Sequence, residues 1–329
     1  MNKRKIFDPA DGFLPLTDVA EITDATVVKR GDQWWMYVAG QRKNDKGIHL
    51  FSASLAPGLP LSATGWRLTA DRNDPTRVAL LAGYEASSAW DLKGGRHCPS
   101  YVTGWDTVRQ AWLERIYYAG AAENPWGPYA IGFLEWDGFQ WVDQPEPVFA
   151  ANEDWEHGSV YEPNLIYDEG KWKLWYVAGS NHEGYLVHGF AESTDGRTGW
   201  SPHKIFAPRE MNLFDFCVIK NGSGFEAVFS RVELQNASAP SAAGLWWCRA
   251  ETPGSELSDW SEPVQIMTAE SRGWHAGPWK PSIRYGDSDP TRMFVFCDGM
   301  YATPGAEGFP FAFTLGCLEL ERPNVTEPK

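Results

Sequence analysis

Five short phrases in the chain put groups capable of proton chemistry at matching places. Asp24-Ala25-Thr26, Cys98-Pro99-Ser100, Glu162-Pro163-Asn164, Asp215-Phe216-Cys217 and Lys280-Pro281-Ser282 each open an apolar run. Three of the five leading residues are carboxylates, one is a lysine, and Cys98 follows His97. If these positions converge, the acids repel one another. At about 6 Å and an effective dielectric near 20, each like-charged pair costs roughly 2–3 kcal/mol. A purely structural ring would be cheaper with Ser, Thr or apolar residues. The acids therefore point to function, as a general acid/base pair or as a metal site.

The elements that would bring them together can be read from the third phrase. Residues 159–179 give a carboxylate and Pro163, an apolar run, an Asp168-Glu169-Gly170 turn, and then a run in which every other side chain is bulky. Two β-rich runs around a short Gly-containing turn predict a hairpin. The same unit recurs behind each phrase, with leading residues 53 to 74 positions apart. That period predicts blades rather than one sandwich. The expected fold is all-β, a single-domain five-bladed β-propeller, with blades at about 23–80, 97–150, 159–208, 212–268 and 278–320. An N-terminal strand is expected to close the last blade and cover its edge. The innermost strands line the central channel, so Asp24, Cys98, Glu162, Asp215 and Lys280 are expected to form a ring at one mouth. Gly65-Trp66, Gly199-Trp200 and Asp259-Trp260 open outer strands and are expected to pack between blades.

Composition narrows the function. A formal net charge of −14 argues against a phosphate-backbone partner, which Lys and Arg would have to neutralise. Five cysteines fit no disulfide framework or zinc spacing. No apolar segment of signal-peptide or membrane-span length is present, which leads to the expectation of a cytoplasmic protein with neither nucleic acid nor membrane as partner. There is no GxGxxG after a strand, no Walker loop and no GxSxG elbow.

Within the ring the neighbours differ. Glu162 lies beside Tyr161 and close to Trp155 and His157, and Asp215 lies between Phe214 and Phe216, so burial would raise both carboxyls. Asp24 has Thr23 and Thr26 beside it, hydroxyls able to hold it ionised, which assigns it the basic role. The further contacts expected at the site are His97, Cys98, Tyr161, His157, Trp126, Trp155, His275, Trp279 and Lys280, as hydrogen-bonding groups and flat rings for a sugar face. Adjacent strand residues point to opposite faces, so His97 and Cys98 are not expected to act as a pair.

The layout of Asp-Ala, Cys-Pro-Ser, Glu-Pro, Asp and Lys-Pro at successive inner strands resembles the five-bladed propeller glycoside hydrolases. These are the arabinofuranosidase/xylosidase family 43 and the fructan-cleaving families 32 and 68. The resemblance implies a glycosidase using paired carboxylates on a small oligosaccharide or glycoside. It makes Asp24 the base or nucleophile, Glu162 the carboxylate that holds substrate and tunes pKa values, and Asp215 the acid. Glu and Asp are exchanged relative to the family pattern, so the acid can equally be Glu162. The family's fifth-blade histidine is replaced by Lys280, with His275 five residues earlier. No cofactor and no catalytic metal are expected, and a structural divalent ion in the channel is compatible with the ring. The alternative is a propeller that binds a carbohydrate or small molecule without hydrolysis, or that catalyses a non-hydrolytic rearrangement.

Overall fold

Each leading phrase begins the bend in an innermost strand. The five inner strands are Val19–Arg30, Gly95–Asp106, Val160–Asp168, Leu213–Asn221 and Trp279–Tyr285. In the computed structural model, which describes residues 1–9, 14–45, 47–82, 90–91, 93–124, 127–179, 187–222, 224–231, 243–269, 278–287, 289–301 and 312–323, each inner strand starts one four-stranded antiparallel sheet. Four sheets run outward in chain order; the fifth runs from Trp279–Tyr285 through Arg292–Tyr301 and Ala312–Glu321 to the N-terminal strand Asn2–Phe7. The molecule is an all-β, five-bladed propeller.

Middle strands are buried on both faces because each blade is covered by its neighbours. In Lys171–Ala178 only the first residue is exposed. Trp66, at the start of its outer strand, and Trp200 and Trp260, which fall a few residues before theirs rather than opening them, each reach the preceding blade. Trp66 meets Phe296 edge-on at 5.9 Å, Trp200 meets Tyr117 at 6.3 Å, and Trp260 meets Trp175 at 6.3 Å.

A polar staple runs round the channel as well. The side chain two places after the leading residue accepts a backbone N–H three places after the leading residue of the next blade. Thus Thr26 accepts Tyr101 N at 3.4 Å, Ser100 accepts Leu165 N at 3.1 Å, Asn164 accepts Val218 N at 2.9 Å, and Ser282 accepts Val27 N at 3.2 Å. Only the fourth blade, with Cys217 in that place, has no such bond among the described residues. Inner-strand N–H groups that lack a ladder partner are thereby satisfied.

The strand Asn2–Phe7 pairs with Ala312–Glu321, and Phe7 is 1% exposed in the core between blades five and one. Removing residues 1–8 uncovers that strand edge and the Phe7 site, a loss of about 3–5 kcal/mol. A fall in melting temperature of about 4–7 °C is expected by calorimetry; an unchanged value would show that this strand does not help close the ring.

Candidate active site

Every inner strand carries a one-residue bulge at the leading phrase. The register slips between Thr23 and Thr26, His97 and Ser100, Tyr161 and Asn164, Leu213 and Phe216, and Trp279 and Ser282. Asp24, Cys98, Glu162 and Lys280 adopt left-handed backbone conformations there, with φ of 55°, 55°, 53° and 46°. Bulges re-aim side chains, and they also accommodate the prolines at 99, 163 and 281, which cannot donate to a ladder. Strain of about 1–3 kcal/mol per such residue is the sort kept at functional sites.

Carboxylates from neighbouring blades receive the N–H groups freed by the bulges. Asp24 N donates to Asp298 Oδ2 at 2.7 Å, Cys98 N donates to Asp24 Oδ2 at 3.1 Å, and Lys280 N donates to Asp215 Oδ2 at 2.7 Å. Side chains complete the circuit. Cys98 Sγ lies 2.9 Å from Glu162 Oε1 and 3.5 Å from Asp24 Oδ2, while Lys280 Nζ lies 3.0 Å from Glu162 Oε2. Ser230 Oγ donates to Asp215 Oδ2 at 2.7 Å.

Above this floor is a cavity of about 150 Å³. Asp24, His97, Cys98, Glu162, Lys280 and Asp298 form its polar side, and Tyr129, Tyr161, Phe214, Trp279 and Phe313 its aromatic wall. Burial pushes the Glu162 carboxyl up to about 8; Lys280 pulls it down, and Asp215 and Asp24 push it further up. Burial also raises Asp215, and it raises Asp298 well above the carboxylate range with help from Asp24. Glu21, at the rim, is lifted to about 7 by burial. Burial lowers His97 and raises the Cys98 thiol well above its usual value. Burial opposes the Lys280 charge, but Glu162 and the other carboxylates outweigh it and hold the ammonium.

Asp24, Glu162, His97, Cys98, Tyr161, Trp279 and Lys280 all face this cavity. Asp215 does not line it; its carboxyl is 1% exposed and bound from beneath by Ser230 and Lys280. His157 is exposed on a turn, and Trp155 stacks on Tyr176 at 6.2 Å in the core between blades two and three, so neither reaches the cavity. Trp126 and His275 lie outside the described residues. The opposite-face expectation for His97 and Cys98 fails because the left-handed turn at Cys98 swings both side chains to one side. Together with Asp24 they bring potential ligand atoms within 4.8 Å of one another, the set a cation could use. The Thr26 hydroxyl is engaged with Tyr101 N, so the Asp24 carboxylate is held by the Cys98 N–H and thiol instead.

Two acids of the cavity, Asp298 and Glu21, went unpredicted. For Asp298 a signal existed. It sits opposite Trp279, the residue before the fifth leading position, where blades one to three have Ala39, Ala119 and Val177. An acid ending the apolar run 293–297 breaks that pattern. Glu21 carries no such mark.

No protein-family model and no curated protein matches this chain. The fold is shared with solved glycoside hydrolases. One such enzyme superposes with a TM-score of 0.64 at 16% identity, over 99% of this chain and 94% of its own. A thermostable family 43 glycoside hydrolase gives 0.60 at 15% identity over 94% and 95% of the two chains. The catalytic domain of a Coprinopsis cinerea GH62 α-L-arabinofuranosidase gives 0.59 at 12% identity over 96% and 94%. The architecture is thus the five-bladed β-propeller carried by glycoside hydrolases of families 43 and 62. At these identities the likeness is one of fold.

Proposed function

We propose that this chain is a glycoside hydrolase that removes one terminal sugar from a small glycoside or oligosaccharide with retention of configuration. The observation that carries the reading is the pairing of Glu162 and Asp24 in one cavity with a single sulfur atom between them. Glu162 is the acid. Its carboxyl stays protonated near neutral pH, Oε2 is fixed by Lys280, and Oε1 meets a thiol, which is both a weak donor and a weak acceptor. The Cys98 thiol donates to Oε1, and the carboxyl's own proton passes to the leaving oxygen when a glycoside enters. Asp24, whose Oδ2 accepts the Cys98 N–H and whose own N–H donates to Asp298, is the nucleophile. Asp215 is a positioning residue that fixes Lys280 from below.

With contacts of 2.9 and 3.5 Å to one sulfur, the nearest oxygens of the two carboxyls lie within about 6.4 Å of each other, under the roughly 6.5–9.5 Å that an inverting pair needs to admit water. A cavity near 150 Å³ matches one six-membered ring, as a benzene-sized site does. This supports removal of a terminal unit. Carbohydrate as the ligand class agrees with solved GH62 neighbours in complex with xylotriose and cellotriose.

The test is a panel of aryl furanosides and pyranosides, followed by proton NMR of the first-formed anomer. Turnover with retained configuration is expected for at least one sugar. Saturable binding without turnover across the panel would sink the hydrolytic reading in favour of a carbohydrate-binding propeller. An inverted product would sink the nucleophilic role of Asp24.

A further inference from the structure

We infer that Asp298 is a further acid of this site, which holds Asp24 through its backbone N–H and offers its other oxygen to a sugar hydroxyl. The role in turnover rests on the glycosidase reading; the protonation and the contact with Asp24 do not.

Asp298 lies on the second strand of blade five and is 2% exposed. Its Oδ2 accepts the N–H of Asp24 at 2.7 Å, whereas its Oδ1 is buried with no hydrogen-bond partner. A buried polar atom without a partner is costly, and such groups in folded proteins call for an explanation. Here the carboxyl borders the cavity that holds Asp24 and Glu162, so an entering ligand can supply the missing partner. The fold does not require an acid at this place, since the equivalent positions of blades one to three are Ala39, Ala119 and Val177.

The surrounding charges decide its protonation. Burial raises Asp298 most; the charge of Asp24 on the first inner strand, a side-chain hydrogen bond with Asp24 and the charge of Glu162 on the third act the same way, while the Asp24 N–H opposes them. Glu21, His97 and Cys98 share the cavity, and no ion pair links Asp298 to a cation among the described residues. Lys280, in the cavity too, is engaged with Glu162 and the Pro163 carbonyl. Protonated, Asp298 shares its proton with the Asp24 carboxylate until a sugar hydroxyl competes for it. A neutral carboxylic acid kept as a hydrogen-bond donor is an established catalytic device. The hydroxyl it meets is one on the sugar held against Asp24, where hydrogen bonds that tighten in the transition state aid glycoside cleavage.

The experiment compares Asp298→Asn with Asp298→Ala. Asn keeps an acceptor for Asp24 N and a donor for the sugar, so kcat/KM within about fivefold of the parent and an unchanged pH profile are expected. Ala removes both and is expected to lose about a hundredfold in kcat/KM, with weaker monosaccharide binding. Infrared difference spectra at neutral pH, parent minus Asp298→Asn, should show a protonated-carboxyl stretch. Equal losses in the Asn and Ala variants, or no such stretch, would mean that Asp298 works as an ionised group and the inference is wrong. If no glycoside is turned over, the infrared spectrum and monosaccharide affinity still decide the matter, so its failure is distinct from failure of the glycosidase reading.

Discussion

Glu162→Gln is expected to lower kcat by roughly a thousandfold on glycosides with poor leaving groups. General acid catalysis typically contributes about 10²–10⁴. Glutamine has the size of the acid but no proton to give to the departing oxygen. An aryl glycoside whose phenol leaves without protonation should therefore recover most of the lost rate. Asp24→Asn should be impaired with every leaving group, because attack on the anomeric carbon is required in each case. The pH profile adds an independent sign. The active form of Glu162 is the protonated one, and burial among Asp24 and Asp215 holds its carboxyl near 8. Parent activity should thus fall as pH rises through about 8, and that limb should be missing from Glu162→Gln. If Asp215→Asn rather than Glu162→Gln shows the dependence on leaving group, the acid has been misassigned. The geometry argues against that result. Asp215 is fixed by Ser230 and by Lys280 N, and it does not border the cavity.

Much of this arrangement can be read in the chain before folding. The leading phrases mark the bulges because Pro99, Pro163 and Pro281 fit a central strand only where its ladder is interrupted. The residues that follow, Thr26, Ser100, Asn164 and Ser282, are the staples between blades, and their polar character inside apolar runs was the visible sign of it. The tryptophans at 66, 200 and 260 were equally legible as packing. What the spacing alone could not supply was depth. Asp24 and Glu162, both at left-handed residues, reach the cavity, while Asp215, which lacks that conformation, stays outside its lining as an anchor. Nor does strand alternation hold through a left-handed residue, which is why His97 and Cys98 share a face. His157 and Trp155 were tied to Glu162 by nearness in sequence, but the turn before Val160 carries them away from the mouth. Asp298 enters from a second strand rather than a first, outside the repeat of leading phrases.

The same carboxylates receive strained backbone N–H groups and repel one another, so the site should leave a mark on stability. Glu162, near 4.5 when unfolded and about 8 when folded, binds its proton more tightly in the native state. Stability contributed this way is complete below pH 4.5 and is lost as pH rises towards 8. Asp298, Asp215 and Glu21 are raised too and act in the same direction. His97, lowered by burial, works against them below about pH 6.5, and Lys280, whose value is raised, keeps its contribution throughout this window. Carboxyls lowered elsewhere by hydrogen bonds, such as Asp195 and Glu156, limit stability only at more acid pH. The melting temperature should therefore peak near pH 5–6 and fall by roughly 5–10 °C on going to pH 8.5, the effect of a few kcal/mol in a chain of this size. Calorimetry at constant ionic strength measures this directly. In Glu162→Gln the decline should be roughly halved, because an amide cannot titrate. The slope is the quantity to compare, since Gln also alters the contact with Lys280 and shifts the whole curve. A parent that is more stable at pH 8.5 than at pH 5.5 would mean that these acids are ionised at little cost, and the assignment of Glu162 as a proton donor would lose its physical basis.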